Sequence, residues 1–134
     1  MASALWNPYK QDLLDRATGI DYDTNNIDCA LLQAGYTFVA AHDFRDDFGA
    51  NEVAAAADAN FSGKTVTDGV ADANDLTYTS VTGSAVTQLG IYRDVGSAAT
   101  DNLIAFVDGF SSVTPNGGDI TVTFDSGANR IFAF

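Results

Sequence analysis

The chain has 134 residues, of which 18 are acidic and 6 basic, and it carries a formal net charge of −12 at pH 7. This length fits one domain, and 46% hydrophobic residues are enough to form a core without disulfides or metals. Because no basic surface is available to attract a polyanion, we expect neither nucleic acid nor membrane as a partner. The composition is typical of short strands joined by tight turns, because it is rich in Asp, Asn, Gly, Thr and Val.

Residues 1–19 are predicted to form a short N-terminal helical segment. In Asn7-Pro8, Asn is a good N-cap and Pro is suited to the first helical position. Tyr9 and Leu13 then share one face at a spacing of four residues, and Gly19 can end the helix. A helix this short is marginal alone, so we expect it to pack on its own domain, within a subunit assembly, or on a neighbouring surface.

The next part of the chain alternates between turn residues and apolar runs. A turn cluster at 21–26 precedes a predicted buried strand from Ile27 to Gln33. A second apolar stretch, Tyr36 to Ala41, is expected to begin the core together with that strand. Residues 42–63 predict a long, partly helical connection.

From Lys64 onward, alternation with a period of two residues predicts strands. Asp68-Gly69 is predicted to be a turn. The predicted segments are Lys64–Thr67, Leu76–Val81, Ala85–Tyr92, Leu103–Asp108, Ile120–Phe124 and Ile131–Phe134. Seven or eight short strands at this spacing predict an all-β fold over residues 1–134, a single β-sandwich domain with a jelly-roll-like topology.

One acidic stretch resembles a metal site. Asp21-x-Asp23-x-Asn25 matches the opening of a calcium loop, but Asn26 stands where the turn glycine is needed and Leu32 where a bidentate Glu is needed. The EF-hand interpretation is therefore excluded. A looser turn site for Ca²⁺ and simple turn capping both remain open.

The sequence contains no motif that is typical of a catalytic site. His42 is the sole histidine, and Cys29, in an apolar run, is expected to be a buried structural thiol, so the two do not supply a zinc site. No serine lies in a Gly-x-Ser-x-Gly motif, and pairs of carboxylates carry little weight in a chain so rich in Asp. We expect no enzymatic activity, no cofactor and no metal.

Aromatic residues concentrate at the two ends of the chain. We take five residues as interface candidates: Trp6, Tyr9, Leu13, Phe132 and Phe134. Two interpretations are open, namely that the aromatic rings seal the ends of their own sandwich, or that they anchor the termini on a neighbouring subunit or surface.

Several short motifs follow one another in a recognisable order. They are Ile27-Asp28-Cys29-Ala30-Leu31-Leu32, Tyr36-Thr37, His42-Asp43-Phe44, Asn51-Glu52-Val53, Lys64-Thr65-Val66-Thr67, Asp72-Ala73-Asn74-Asp75-Leu76-Thr77-Tyr78, Ile91-Tyr92-Arg93-Asp94-Val95-Gly96 and Leu103-Ile104-Ala105-Phe106-Val107-Asp108. In this order, over residues 7–134, the chain resembles a family of small virion structural proteins of tailed bacteriophages. It departs from that family between Val53 and Lys64, where an alanine-rich segment replaces an aromatic, glycine-rich one.

The resemblance implies a β-sandwich on the capsid exterior, made in the host cytoplasm. The implied role is that of a decoration or cement protein that binds the major capsid protein, without catalysis or cofactor. A homotrimer is expected, because edge strands need covering and capsids offer three-fold sites. The alternative is a receptor- or glycan-binding sandwich on a tail or fibre, with stacking candidates Trp6, Tyr22, Tyr36, Tyr78 and Tyr92.

Overall fold

The computed structural model describes residues 2–16, 18–55, 59–127 and 130–133. Within these ranges the chain is mostly β, with one α-helix, α1 (Asn7–Asp15), and one 3-10 helix (Arg45–Asn51). The strands are β1 (Ala2–Leu5), β2 (Ile27–Gln33), β3 (Ala59–Asn60), β4 (Thr65–Thr67), β5 (Val70–Asp72), β6 (Leu76–Tyr78), β7 (Val86–Arg93), β8 (Leu103–Asp108), β9 (Ile120–Val122) and β10 (Phe132–Ala133).

The described strands form three antiparallel sheets. A central five-stranded sheet has the order β1-β8-β7-β2-β3, and two smaller sheets have the orders β10-β5-β4 and β6-β9. This arrangement confirms the predicted all-β, sandwich-like domain with a short N-terminal helix. The described strands divide into five, three and two, rather than into the eight strands of a regular jelly roll with its two sheets.

The central sheet is buried on both faces. Side chains of β2 alternate between two hydrophobic clusters: Cys29 and Leu31 belong to the first, whereas Ala30 and Leu32 belong to the second. This explains why residues 29–32 are all apolar, since a strand with one solvent-exposed face would alternate apolar with polar residues. The buried position of Cys29 agrees with the prediction.

Different parts of the chain cover the two faces. The small sheets cover the first face with side chains that include Leu76, Tyr78 and Phe132. The second face is covered by Trp6, by the loop that contains Tyr36 and Phe38, and by Phe48 of the 3-10 helix, instead of by a sheet. The Tyr36 ring packs edge-on against Phe48 at a centroid distance of 5.2 Å. The stretch 36–41 therefore contributes to the core as predicted, although it contains no strand.

The N-terminal segment differs from its prediction in three ways. Residues 2–5 form β1, which pairs with β8, and no strand was expected there. Trp6, not Asn7, is the N-cap of α1, because its backbone is still extended and its N–H donates to the Ile104 carbonyl at 3.3 Å. The helix ends at Asp15, before Gly19, because Arg16 adopts a left-handed conformation with φ of 57°.

Two further outcomes concern the segment between residues 42 and 72. The 3-10 helix at 45–51 agrees with the expected partly helical connection. The turn at Asp68-Gly69 is also confirmed, but the chain continues from it into β5, a strand that the sequence analysis did not identify. Part of the alanine-rich segment, residues 56–58, lies outside the described residues.

Candidate interaction groove

Three of the five predicted interface residues line one groove on the surface. The groove has a volume of about 340 Å³ and lies between α1, the turn at 19–23 and the β10-β5-β4 sheet. We call it the α1 groove and define it by its apolar lining: Tyr9, Leu13, Ile20, Tyr22, Val66 and Phe132. The helix supplies one wall and the small sheet the other.

A buried carboxylate fixes the helix wall. Asp12 is 5% exposed, and its side chain accepts the backbone N–H of Thr18 and, at 3.1 Å, that of Ile20. Burial alone would raise the pKa of Asp12, but hydrogen bonds from the Thr18 side chain and from the backbone of residues 18–20 outweigh it and lower the pKa. Asp12 therefore holds the chain that follows α1 against the helix as a carboxylate.

Aromatic rings form the floor of the groove. Tyr22 meets Phe132 edge-on at a centroid distance of 5.5 Å, and its hydroxyl donates to the Asp72 carbonyl at 3.3 Å. Burial, reinforced by Asp12 and Asp21, raises the pKa of Tyr9 to about 12, and burial also raises the pKa of Tyr22. Both phenols are consequently neutral at physiological pH, and the floor carries no charge.

The walls of the groove offer apolar surface to solvent. Leu13 is 39% exposed and Val66 is 48% exposed, whereas Tyr9 and Phe132 are buried beneath them. Leu14, the next helical residue, is 89% exposed. An accessible apolar wall over a closed aromatic floor suits the docking of a partner surface better than the enclosure of a small ligand.

Two carboxylates stand at the rim of the groove. A side-chain hydrogen bond between Asp21 and Asp23 lowers the pKa of Asp21 and raises that of Asp23. Among the described residues, no group of three or more His, Cys, Asp or Glu side chains is placed to hold a metal ion. Asp21 also donates its backbone N–H to the Asn25 side chain at 2.9 Å, which is turn capping.

The remaining interface candidates lie elsewhere. Trp6 is fully buried among Phe38, Phe48 and Phe106 on the second face of the central sheet. Its ring packs on its own domain, which agrees with the interpretation that aromatic residues seal the sandwich, and it has no surface left for a neighbouring subunit. Phe134 lies outside the described residues.

The residues suggested for glycan stacking are all in the interior. Each of them is 5% exposed or less: Trp6, Tyr22, Tyr36, Tyr78 and Tyr92. Because a sugar ring stacks on an exposed aromatic face, these side chains cannot form such a site in this conformation. His42 is partly buried, and its Nδ1 lies 3.0 Å from the Tyr36 hydroxyl.

A charged cluster around Arg45 was not found by sequence analysis. The guanidinium donates two hydrogen bonds to Glu52, at 2.9 and 2.8 Å, and lies 3.7 Å from the buried Asp101 carboxylate. It also stacks over the Tyr92 ring at 4.7 Å from the centroid. The cluster fastens the 3-10 helix and the loop 94–102 to the central sheet, and only the three-dimensional fold reveals it.

Comparison with known protein families found no family model that matches the chain, and comparison with curated proteins found no match either. In the part of the chain that the structure describes, no helix is long and apolar enough to cross a membrane.

Proposed function

We propose that this chain is a non-enzymatic virion structural protein, a decoration or cement protein that binds the outer surface of a bacteriophage capsid and stabilises the shell. Its partners are the major capsid protein and other copies of itself. The proposal rests on the resemblance of the motifs, on where those motifs lie in the fold, and on the properties of the surface.

The observation that carries the proposal is that most of the resembling motifs lie in or against the central sheet, whereas those at 64–67 and 72–78 lie on the small sheets. The motifs at 27–32, 91–96 and 103–108 lie on or continue from the neighbouring strands β2, β7 and β8. The motifs at 42–44 and 51–53 attach to those strands, since Leu103 N–H donates to the Asp43 carbonyl at 2.9 Å and Val53 N–H to the Leu31 carbonyl at 2.8 Å. These motifs are thus neighbours in this fold as well as successive in the chain, which supports the proposal.

The buried acidic groups support a structural role. Asp12 accepts backbone N–H groups of the loop after α1, and Asp101 accepts those of Val95 at 2.8 Å and Ser97 at 3.4 Å. Both carboxylates therefore organise backbone, and Asp12, which also lines the α1 groove, already accepts the N–H groups of Thr18 and Ile20.

The surface supports binding to a protein shell. A net charge of −12 gives an overall repulsion between copies, which a specific contact has to overcome, and disfavours contact with packaged nucleic acid. On this acidic surface, Leu13 and Val66 expose apolar side chains in the α1 groove, and Leu14, the next residue of the helix, is exposed as well. Exposed apolar side chains that are otherwise costly in water are expected where a partner covers them.

The test is reconstitution of binding to capsids that lack this protein. We expect the purified chain to bind until it reaches a fixed ratio to the major capsid protein and to raise the temperature at which the shells open. Leu14→Asp should weaken binding without lowering the melting temperature of the free protein, and Val95→Ser, at another exposed valine, should not. Failure of the wild-type chain to bind would refute the proposal.

A further inference from the structure

Strand β4 lies at the edge of its sheet, and no other described strand pairs with that edge. It is the outer strand of the β10-β5-β4 sheet, and its three residues, 65–67, are all exposed. A two-residue turn joins it to β5, and both turn residues, Asp68 and Gly69, have positive φ values of 51° and 76°. These angles are those of a type I′ hairpin turn, which fixes the hydrogen-bond pattern of the two strands.

The pattern leaves the backbone of Val66 facing outward. In such a hairpin the residues that flank the turn, Thr67 and Val70, form a hydrogen-bonded pair, so the next pair, Val66 and Ala71, does not. Accordingly, the Ala71 carbonyl turns away from β4 and accepts the Ile131 N–H at 3.2 Å. The N–H and carbonyl of Val66 must then point to the free edge, and no described residue hydrogen bonds to them.

We propose that a second copy of this chain pairs with this edge, antiparallel and centred on Val66. In that register, Val66 of each copy donates its N–H to the carbonyl of Val66 in the other copy. Residue 65 of one copy lies opposite residue 67 of the other, and residue 64 opposite residue 68. The contact is isologous, because each copy presents the same strand to the other.

Charge complementarity identifies a second copy as the occupant. The register sets Lys64 of each copy opposite Asp68 of the other, which gives two cross-strand pairs of opposite charge. Asp68 is the first residue of the turn, with φ of 51°, so its carboxylate stands at the end of the strand, and the Lys64 ammonium of each copy also donates to the Phe61 carbonyl at 3.4 Å. The charged pairs therefore lie at the two ends of the contact, on either side of the valine pair. These local pairs counter part of the repulsion between two chains of −12.

The pairing also covers apolar surface. Val66 is 48% exposed and lines the α1 groove together with Leu13. Directly opposite residues of an antiparallel pair project to the same face, so the two Val66 side chains would contact each other. The α1 grooves of the two copies would then run together across the two-fold axis.

The proposed contact has two-fold symmetry, whereas the sequence led us to expect a homotrimer. The contact does not depend on the proposed function as a capsid decoration protein. Sedimentation and light scattering of the free protein distinguish the cases. We expect a species of twice the 14.1 kDa chain mass at high protein concentration that dissociates on dilution. A chain that remains monomeric up to the highest concentration, or that forms trimers without dimers, overturns the inference.

Hydrogen exchange of the wild-type protein adds a readout that does not depend on variants. The Val66 amide should exchange quickly in dilute solution and become protected as the dimer forms, whereas the Ile131 amide, which is bonded within the chain, should not change. A Val66 amide whose exchange rate is the same in monomer and dimer would place the contact elsewhere and refute the pairing.

Variants test the register. Val66→Pro removes an N–H that the chain itself does not use, so it should weaken dimerisation about tenfold or more at an unchanged melting temperature. Val66→Ala retains the N–H and should weaken dimerisation less than Val66→Pro does. Lys64→Glu places like charges opposite each other and should also favour the monomer. If Val66→Pro and Lys64→Glu both fold and dimerise like the wild type, the proposal is wrong.

Discussion

The Tyr78 hydroxyl donates a 2.7 Å hydrogen bond to the Cys29 carbonyl, and this buried bond joins the β6-β9 sheet to β2 of the five-stranded sheet. The two residues are 49 positions apart in the chain. The bond therefore links two layers that also pack against each other through the apolar side chains of the first core.

Tyr78→Phe tests that bond. The substitution keeps the ring in the core and removes only the hydroxyl, so we expect the free energy of unfolding to fall by about 1 kcal/mol. Tyr22→Phe, which removes a longer and only partly buried bond to Asp72, should cost less. Urea denaturation measures both changes, and equal losses would contradict the special position of Tyr78.

Gly90 is required by the close approach of Phe48 to β7. A Cβ added at Gly90 would overlap the Phe48 ring. We expect Gly90→Ala to lower the free energy of unfolding by about 1 to 3 kcal/mol. Phe48→Leu should relieve the overlap, so the double variant should lose less stability than the sum of the two single variants. Strict additivity would show that the two residues do not press on each other.

Because the pKa of Asp12 is lowered in the fold, we expect the free energy of unfolding to depend on pH. Because its pKa is lower in the folded chain than in the unfolded chain, its contribution is present above about pH 4 and is lost as the pH falls through the folded-state pKa. Asp12→Asn should therefore cost about 2 kcal/mol at pH 7 and less in acid. Denaturation at a series of pH values tests this, with Asp15→Asn on the same helix as the control. A loss that does not change with pH would contradict the account.

The two arginine ion pairs should differ in strength. Arg45 bonds Glu52 twice and contacts the buried Asp101, whereas Arg130 pairs with Asp72 closer to the surface. Arg45→Ala should cost about 2 kcal/mol or more, and Arg130→Ala less than about 1 kcal/mol. The melting temperatures of the two variants measure this difference. A larger loss of stability in Arg130→Ala than in Arg45→Ala would contradict our interpretation.

The N-terminal segment should stabilise its own domain. Trp6→Ala removes a fully buried ring and should cost about 3 to 5 kcal/mol, whereas Leu14→Ala, at an exposed position, should change the free energy of unfolding by less than about 0.5 kcal/mol. Deletion of residues 1–18 should likewise lower the melting temperature strongly, since it removes β1 and α1. A deletion that leaves the melting temperature unchanged would mean that this segment serves attachment alone.

The sequence predicted the elements whose signal is local. The bounds of β2 and β8 agree with the predicted 27–33 and 103–108, because both are long apolar runs between turn residues. The type I′ turn at Asp68-Gly69 was likewise predictable, since its two residues tolerate positive φ. Such features depend on neighbouring residues and not on distant ones.

The elements that depend on distant partners could not be predicted. β1 is a strand because β8, about a hundred residues away, supplies its hydrogen bonds. The same holds for the α1 groove, whose helix and sheet walls meet only in the fold, although Tyr9, Leu13 and Phe132 were identified as residues of interest. Trp6 was ambiguous between core and interface because both environments favour a large aromatic ring.

The copy number of this chain in purified virions tests the central claim most directly. Quantitative mass spectrometry of intact particles measures its ratio to the major capsid protein. A decoration protein should be present in many copies at a fixed ratio that reflects the capsid lattice. Absence of the chain from the particles would contradict the proposed function, and a few copies per particle would assign it to the tail instead of the shell.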